Sequence, residues 1–299
     1  MVYLCRLLLT SGCVCLLAVA IFVTWNQYSC SVARSALPPN ASLLRETLAK
    51  DLFGQSLAVE TLVGNIDDFF SAPSSLSNNN RVRVLALVGG SGTGKSLTMT
   101  KMAETFANSG FPASNVHRLS ATLALDESGS DQETFDNFLA TAARGCGHQI
   151  LLLDDYTQSE PGKWLSSKMQ RLIDELGSDS NESDLNGVAG TAKTVTRRNQ
   201  TLVVISTLDY AEHVNYRSVD LWKRHQATLP KMDMETYQGI ARELEIQMGI
   251  SGSAAVGVVP FLPLGRDTVR RCVEKSLATN HNLILSKVRI LQFLHVLSQ

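Results

Sequence analysis

The sequence predicts an α/β fold with a largely parallel sheet, followed by a smaller helical domain. Three observations carry this. Short apolar runs at 81–88, 149–153 and 201–207 have strand length. Helical patterns lie between and around them, as an α/β chain requires. Between the first of these strands and the next helix stands Gly89-Gly90-Ser91-Gly92-Thr93-Gly94-Lys95-Ser96, which fits the phosphate-binding pattern G-x-x-x-x-G-K-[ST].

Leu7 to Gln27 is uncharged and mostly apolar, with Arg6 before it and Arg34 as the next charge. Its length lies between a signal-peptide core and a membrane-spanning helix, so residues 1–35 read as a signal peptide or signal anchor. Ser31 and Ala33 are small at the offsets of a cleavage site after Ala33, and retention as an anchor is the alternative. Pro38-Pro39-Asn40 marks a linker. Leu43 to Leu52 and Leu57 to Phe70 have helical spacing, broken by Phe53-Gly54-Gln55. Ala72 to Asn80 is a loop, and Arg81 to Val88 is the first buried strand. Ser96 to Asn108 is a helix whose Met99, Met102, Ala103 and Phe106 make one apolar face, and Gly110 closes it.

A second strand is expected near Asn115 to Ser120. Gln149 to Leu153 is a buried strand ending in Asp154-Asp155. Trp164 to Leu176 reads as an amphipathic helix, and Gly177 to Gln200 as a polar loop. Thr201 to Thr207 is the third buried strand. From Lys231 onward helical patterns dominate, so the domains divide as 36–228 for the nucleotide domain and 229–299 for a helical lid.

The chain carries 27 basic and 28 acidic residues, so no broad nucleic-acid surface is expected. The six cysteines, Cys5, Cys13, Cys15, Cys30, Cys146 and Cys272, lack metal-ligand spacing, which argues against a structural zinc. Asn40-Ala41-Ser42, Asn181-Glu182-Ser183 and Asn199-Gln200-Thr201 are glycosylation sequons. Each is short and common by chance, but with the leader they favour the secretory lumen.

The loop Gly89 to Ser96 suits a triphosphate, because its glycines let backbone N–H groups converge on phosphate oxygens at a helix start. Lys95 would reach the β- and γ-phosphates, and Ser96 with Asp154 would hold Mg²⁺. Asp155 would orient the attacking water. It is one methylene shorter than glutamate, which sets the carboxylate back and predicts slow turnover. Thr207 reads equally as a γ-phosphate sensor and as an ordinary β-branched strand residue. Arg217 and Arg224 read as solvated charges rather than as arginines supplied to a neighbouring site.

Three further segments resemble the torsins, AAA+ ATPases of the endoplasmic reticulum and nuclear envelope lumen. Leu52-Phe53-Gly54-Gln55-Ser56-Leu57-Ala58 is similar to a block ahead of the torsin nucleotide site. Asp220-Leu221-Trp222-Lys223-Arg224 is similar to the aromatic segment after the sensor strand. Val259-Pro260-Phe261-Leu262-Pro263-Leu264 is similar to the block opening the lid. The likeness spans about residues 40–275. It implies an αβα AAA+ domain with a helical lid, binding ATP and Mg²⁺. It also implies a membrane-anchored luminal activator, of the lamina-associated polypeptide type, that donates the missing arginine. A homo-oligomer, and membrane association through the N-terminal segment if uncleaved, fit the same resemblance.

The departures from the torsin pattern are chemical. Ser96 stands where torsins carry Asn, Asp155 where they carry Glu, and Thr207 where they carry Asn. Cys272 matches a lid cysteine, but no Gly-Cys-Lys second sensor follows Leu264, and Lys287 and Arg289 are weak substitutes. Two functions follow: a slow, activator-dependent ATPase that remodels proteins or membranes, or a nucleotide-binding scaffold with little hydrolysis. A small-metabolite kinase ranks third, since no arginine-bearing lid is evident.

Overall fold

The computed structural model describes residues 19–25, 28, 30, 38–71, 82–120, 137–138, 141, 146–155, 200–225, 232–250 and 255–279. The expected helix at 164–176, the loop from Gly177 and the weak sensor substitutes Lys287 and Arg289 lie outside them.

Helix α1 (Ala41–Asp51) begins where the side chain of Asn40 accepts the Leu43 N–H at 2.9 Å. This satisfies a backbone donor that no helical carbonyl can reach. Leu44 and Leu48, one turn apart, are fully buried. Helix α2 (Ser56–Ser71) buries Leu62, Val63 and Ile66 on its core face. Gly54, at φ 74°, turns the chain between the two helices.

Among the described residues five strands form one parallel sheet in the order β2-β3-β4-β1-β5. They are β1 (Val82–Gly89), β2 (Val116–Ser120), β3 (Gln149–Asp154), β4 (Thr201–Thr207) and β5 (Val256–Phe261). Val84 to Val88 of β1 and Leu202 to Val204 of β4 have no exposed surface, as expected of parallel strands covered on both faces. Further helices are α3 (Lys95–Asn108), α4 (Ala211–His225), α5 (Met234–Gln247) and α6 (Arg266–Thr279). Helix α3 packs on β1, β3 and β4, α4 on β1, and α2 and α5 on β5. Met99, Met102 and Phe106 of α3 are fully buried and Ala103 packs against them, as the spacing predicts.

One expectation needs correction. Residues 256–261 are not helical lid but the fifth strand, paired with β1 from Val84↔Val256 to Gly89↔Phe261. Tyr237 of α5 is fully buried and donates to the Pro260 carbonyl at 2.7 Å, which fastens α5 to this strand. A cut at 228/229 would therefore strip α5 and β5 from the sheet they pack on.

A disulfide joins Cys30 to Cys146, 116 residues apart, and ties the segment ahead of α1 to the start of β3. Asn115 reinforces that start by donating to the Cys146 and His148 carbonyls at 2.8 and 2.9 Å. Cleavage after Ala33 would remove Cys30, so that cleavage and this disulfide exclude each other. Residues 19–25 are helical, with Ile21, Phe22 and Trp25 exposed. Among the described residues no helix is long and apolar enough to cross a membrane.

Candidate functional site

Parallel strands bring their C-terminal ends to one edge, and in open α/β sheets ligands sit at that edge. Here the edge gathers Gly89 at the end of β1, Asp154 at the end of β3 and Thr207 at the end of β4. Ser120 pairs with Asp154 and Val88 with Thr207, so these ends are aligned by register.

The loop from Gly89 to Ser96 leaves β1 and enters α3 at Lys95. Gly94 is its N-cap at φ 106°, a left-handed backbone that disfavours any side chain, and a Cβ there would also strike Leu52. Gly89 is constrained from the other side, because a Cβ would run into the Phe261 carbonyl of β5. Ser91 and Gly92 are exposed, Gly90 half-buried, and Thr93 closes the turn by donating to the Gly90 carbonyl at 2.8 Å. Lys95 is buried, and its Nζ donates to the carbonyls of Gly89 and Gly90 at 2.7 and 2.8 Å. Burial pushes the ammonium below its ordinary pKa, opposed by the charges of Asp155 and Asp154.

Asp154 is the hub of the site. Its Oδ1 accepts the hydroxyls of Ser206 at 2.7 Å and Ser96 at 2.9 Å, and its Oδ2 accepts Arg118 Nη2 at 2.9 Å. Burial alone would raise its pKa. The bonds from Ser206, Ser96 and Arg118, with the guanidinium charge, outweigh it and hold the carboxyl below the usual range. A buried carboxylate next to a serine hydroxyl at the mouth of a P-loop is a donor set of the hard-oxygen kind that magnesium takes.

Asp155 adopts φ 54°, one of two non-glycine residues with positive φ among those described. Its N–H donates to Ser206 Oγ at 2.8 Å and to Asp154 Oδ1 at 3.1 Å, and these two bonds hold the left-handed turn. Thr207 is fully buried, and its Oγ1 accepts the Asp209 N–H at 3.0 Å. The site thus brings together Lys95, Ser96, Asp154 and Asp155, with Thr207 at the same sheet edge.

Three participants were not singled out from the sequence. Ser206 is a fully buried hydroxyl directly after the apolar run Leu202 to Ile205, and that mismatch was its only signal. Arg118 sits on the half-buried edge strand β2, also donating to Thr100 at 3.0 Å, and nothing in its neighbours announces it. Gln55 is buried and spans two parts of the site. Its Nε2 donates to the carbonyls of Thr93 at 3.2 Å and Leu262 at 2.7 Å, while its Oε1 accepts the Leu262 N–H at 3.1 Å.

Arg217, expected to be solvated, is instead ion-paired with Glu243 of α5 and lies 3.7 Å from Asp220. The side chain of Arg224 lies outside the described residues. Cys272 is a half-buried free thiol on α6.

A parallel sheet ordered 2-3-4-1-5, with a P-loop after β1 and an acid closing β3, is the α/β arrangement of an AAA+-type P-loop domain. The torsin family model matches residues 25–153, a little under half of the chain. The matched stretch holds the Leu52 to Ala58 block, the P-loop and β3 up to Leu153. Among solved structures the chain is similar to a closed-state cryo-electron-microscopy reconstruction of Hsp104 with ATPγS and FITC casein. The identity is 15%, the TM-score 0.46, and the alignment covers 80% of this chain and 38% of that one. The chain therefore spans well under half of that relative's length, and the fold assignment rests on the strand order.

Proposed function

We propose that this protein is a torsin-like AAA+ ATPase that binds ATP with Mg²⁺ and hydrolyses it slowly, with a luminal activator, to remodel proteins or membranes. The observation that carries the reading is the 2.9 Å contact between Ser96 of the P-loop and Asp154 of β3. Those are the two oxygen donors a nucleotide-bound magnesium needs, on the elements that present them. Gly89 to Gly94 would offer backbone N–H groups to the phosphates, and Lys95 would exchange its two carbonyl partners for phosphate oxygens. When bound, Mg²⁺ supplies charge neutralisation at the β- and γ-oxygens. Asp155 would then accept a proton from the attacking water, from a position set back by its short side chain, and Thr207 would sense the γ-phosphate.

The activator reading is supported by Arg217, which is held by Glu243 and so is poorly placed to neutralise a transferring phosphoryl group in a neighbour. An arginine from a partner of the lamina-associated polypeptide type would fill that role. A homo-oligomer and membrane association through the N-terminal segment belong to the same proposal. The disulfide between Cys30 and Cys146 favours an oxidising compartment, the lumen of the endoplasmic reticulum and nuclear envelope. We place the lid after Leu262, in α6 and beyond, rather than at 229.

The scaffold reading is favoured by one observation, the left-handed backbone at Asp155, which turns this residue in a way that suits Asp better than Glu. Equilibrium binding of a fluorescent ATP analogue, with and without Mg²⁺, tests the shared premise. Binding strengthened by Mg²⁺ and reduced at least about tenfold by Ser96→Ala supports the site. Equal binding with and without the metal would contradict the roles of Ser96 and Asp154.

A further inference from the structure

We propose that Asn40 carries an N-linked glycan, an inference that rests on the luminal reading above and names the residue modified. Asn40-Ala41-Ser42 is a sequon, and Asn40 and Ser42 are both exposed. The geometry separates the two functions of the Asn40 amide. Its Oδ1 does the structural work, accepting the Leu43 N–H at 2.9 Å and the Ser42 hydroxyl at 2.8 Å. Its Nδ2 makes no hydrogen bond among the described residues. An N-linked sugar bonds to Nδ2 and leaves the carbonyl oxygen in place, so the helix cap survives modification.

The surroundings leave room for a sugar. Pro38 and Pro39 lead into Asn40, whose backbone is extended at φ −78°, ψ 96°. A cleft of about 430 Å³ opens beside it, lined by both prolines, Arg45, Asp67 and Ser109. Pro38, half-buried, offers a small apolar face, Pro39 is buried beneath it, and the other groups offer polar partners, which suits the mixed surface of an N-acetylglucosamine. The other sequons, at Asn181 and Asn199, lie outside the described residues, so Asn40 is the one whose setting can be read.

The donor is an oligosaccharide linked through a diphosphate to a polyprenyl lipid. Nδ2 attacks C1 of the first sugar, the C–N bond forms as the C–O bond to the diphosphate breaks, and the polyprenyl diphosphate leaves. Nδ2 gives up one proton in exchange for the sugar.

The test expresses the full chain in secretory cells and compares wild type with Asn40→Asp and Ser42→Ala before and after peptide N-glycosidase. Asn40→Asp keeps a good helix cap and Ser42→Ala keeps the asparagine, so neither removes the cap. The expected result is loss of one glycan in both variants, with an unchanged melting temperature after deglycosylation. In wild type, enzymatic release would convert Asn40 to Asp, read as a mass increase of about 1 Da, since an amide NH₂ is replaced by OH. A non-reducing digest is run alongside. If the Cys30–Cys146 peptide pair is present while both variants migrate with wild type, the chain is luminal and the glycan proposal fails. If neither the pair nor any glycan is found, the luminal reading fails and this proposal falls with it.

Discussion

Asp154 accepts three side-chain partners while Asp155, its neighbour, sits in a left-handed turn held by two bonds from its own N–H. Both facts shape what substitutions should do. Asp155→Glu would lengthen the reach toward water and raise single-turnover hydrolysis by about tenfold or more, within the span of general-base effects. It would also cost up to about 1 kcal/mol of stability at φ 54°, where Asp is tolerated better. Asp155→Asn keeps the turn without the carboxylate, so it should fold as wild type and hydrolyse more slowly still. Rapid-quench measurement on the three proteins checks the order. For Asp154 the sign follows from its lowered pKa. Its stabilising contribution is complete above the unfolded value, near 4, and disappears as pH falls through the lower folded value. Asp154→Asn should therefore cost about 1.5 kcal/mol at pH 7, and its gap from wild type should narrow as pH falls through the lowered folded-state value. Urea midpoints at pH 7 and along that fall read this directly.

At the level of elements, strands β1, β2, β3 and β4 and helices α1, α2 and α3 were legible to within one or two residues. Their apolar runs and the glycine-rich loop from Gly89 to Gly94 are local signals. Strand β5 was not. Its segment was read as the block opening a helical lid, and it holds Pro260, a residue that belongs only on sheet edges. Among the described residues β5 is such an edge, paired with β1 alone, and that is a tertiary fact no local pattern states. The placement of Lys95, Ser96, Asp154 and Asp155 at one sheet edge was legible for a related reason. Glycine spacing and strand-end acids are sequence-local, whereas Ser206, Arg118 and Gln55 reach the site from distant segments. Gln55 gives the element-scale prediction. Gln55→Leu would leave the Thr93 and Leu262 carbonyls and the Leu262 N–H buried without it, costing about 2–3 kcal/mol. Thermal unfolding checks this, and Gln55→Glu should recover only the contact from the Leu262 N–H.

Over the whole molecule, the strand order and the pairing of Cys30 with Cys146 come from the tertiary fold, across 116 residues. The disulfide revises the expected processing. A mature chain that keeps it must begin upstream of Cys30, not at Arg34. Intact-mass and N-terminal sequencing of protein from secretory cells should show this, and Cys30→Ser should lower stability by about 2–4 kcal/mol if the constraint acts on the unfolded chain.

The central claim is that the edge formed by the P-loop, Asp154, Asp155 and Thr207 hydrolyses ATP when an activator completes it. Single-turnover ATP hydrolysis by the full, disulfide-bonded chain tests it most directly, alone and with a luminal activator domain of the lamina-associated polypeptide type. The account predicts slow turnover alone, acceleration by the activator, and loss of both in Lys95→Ala. Retention of ATP without turnover in either condition would contradict it and leave the scaffold as the function.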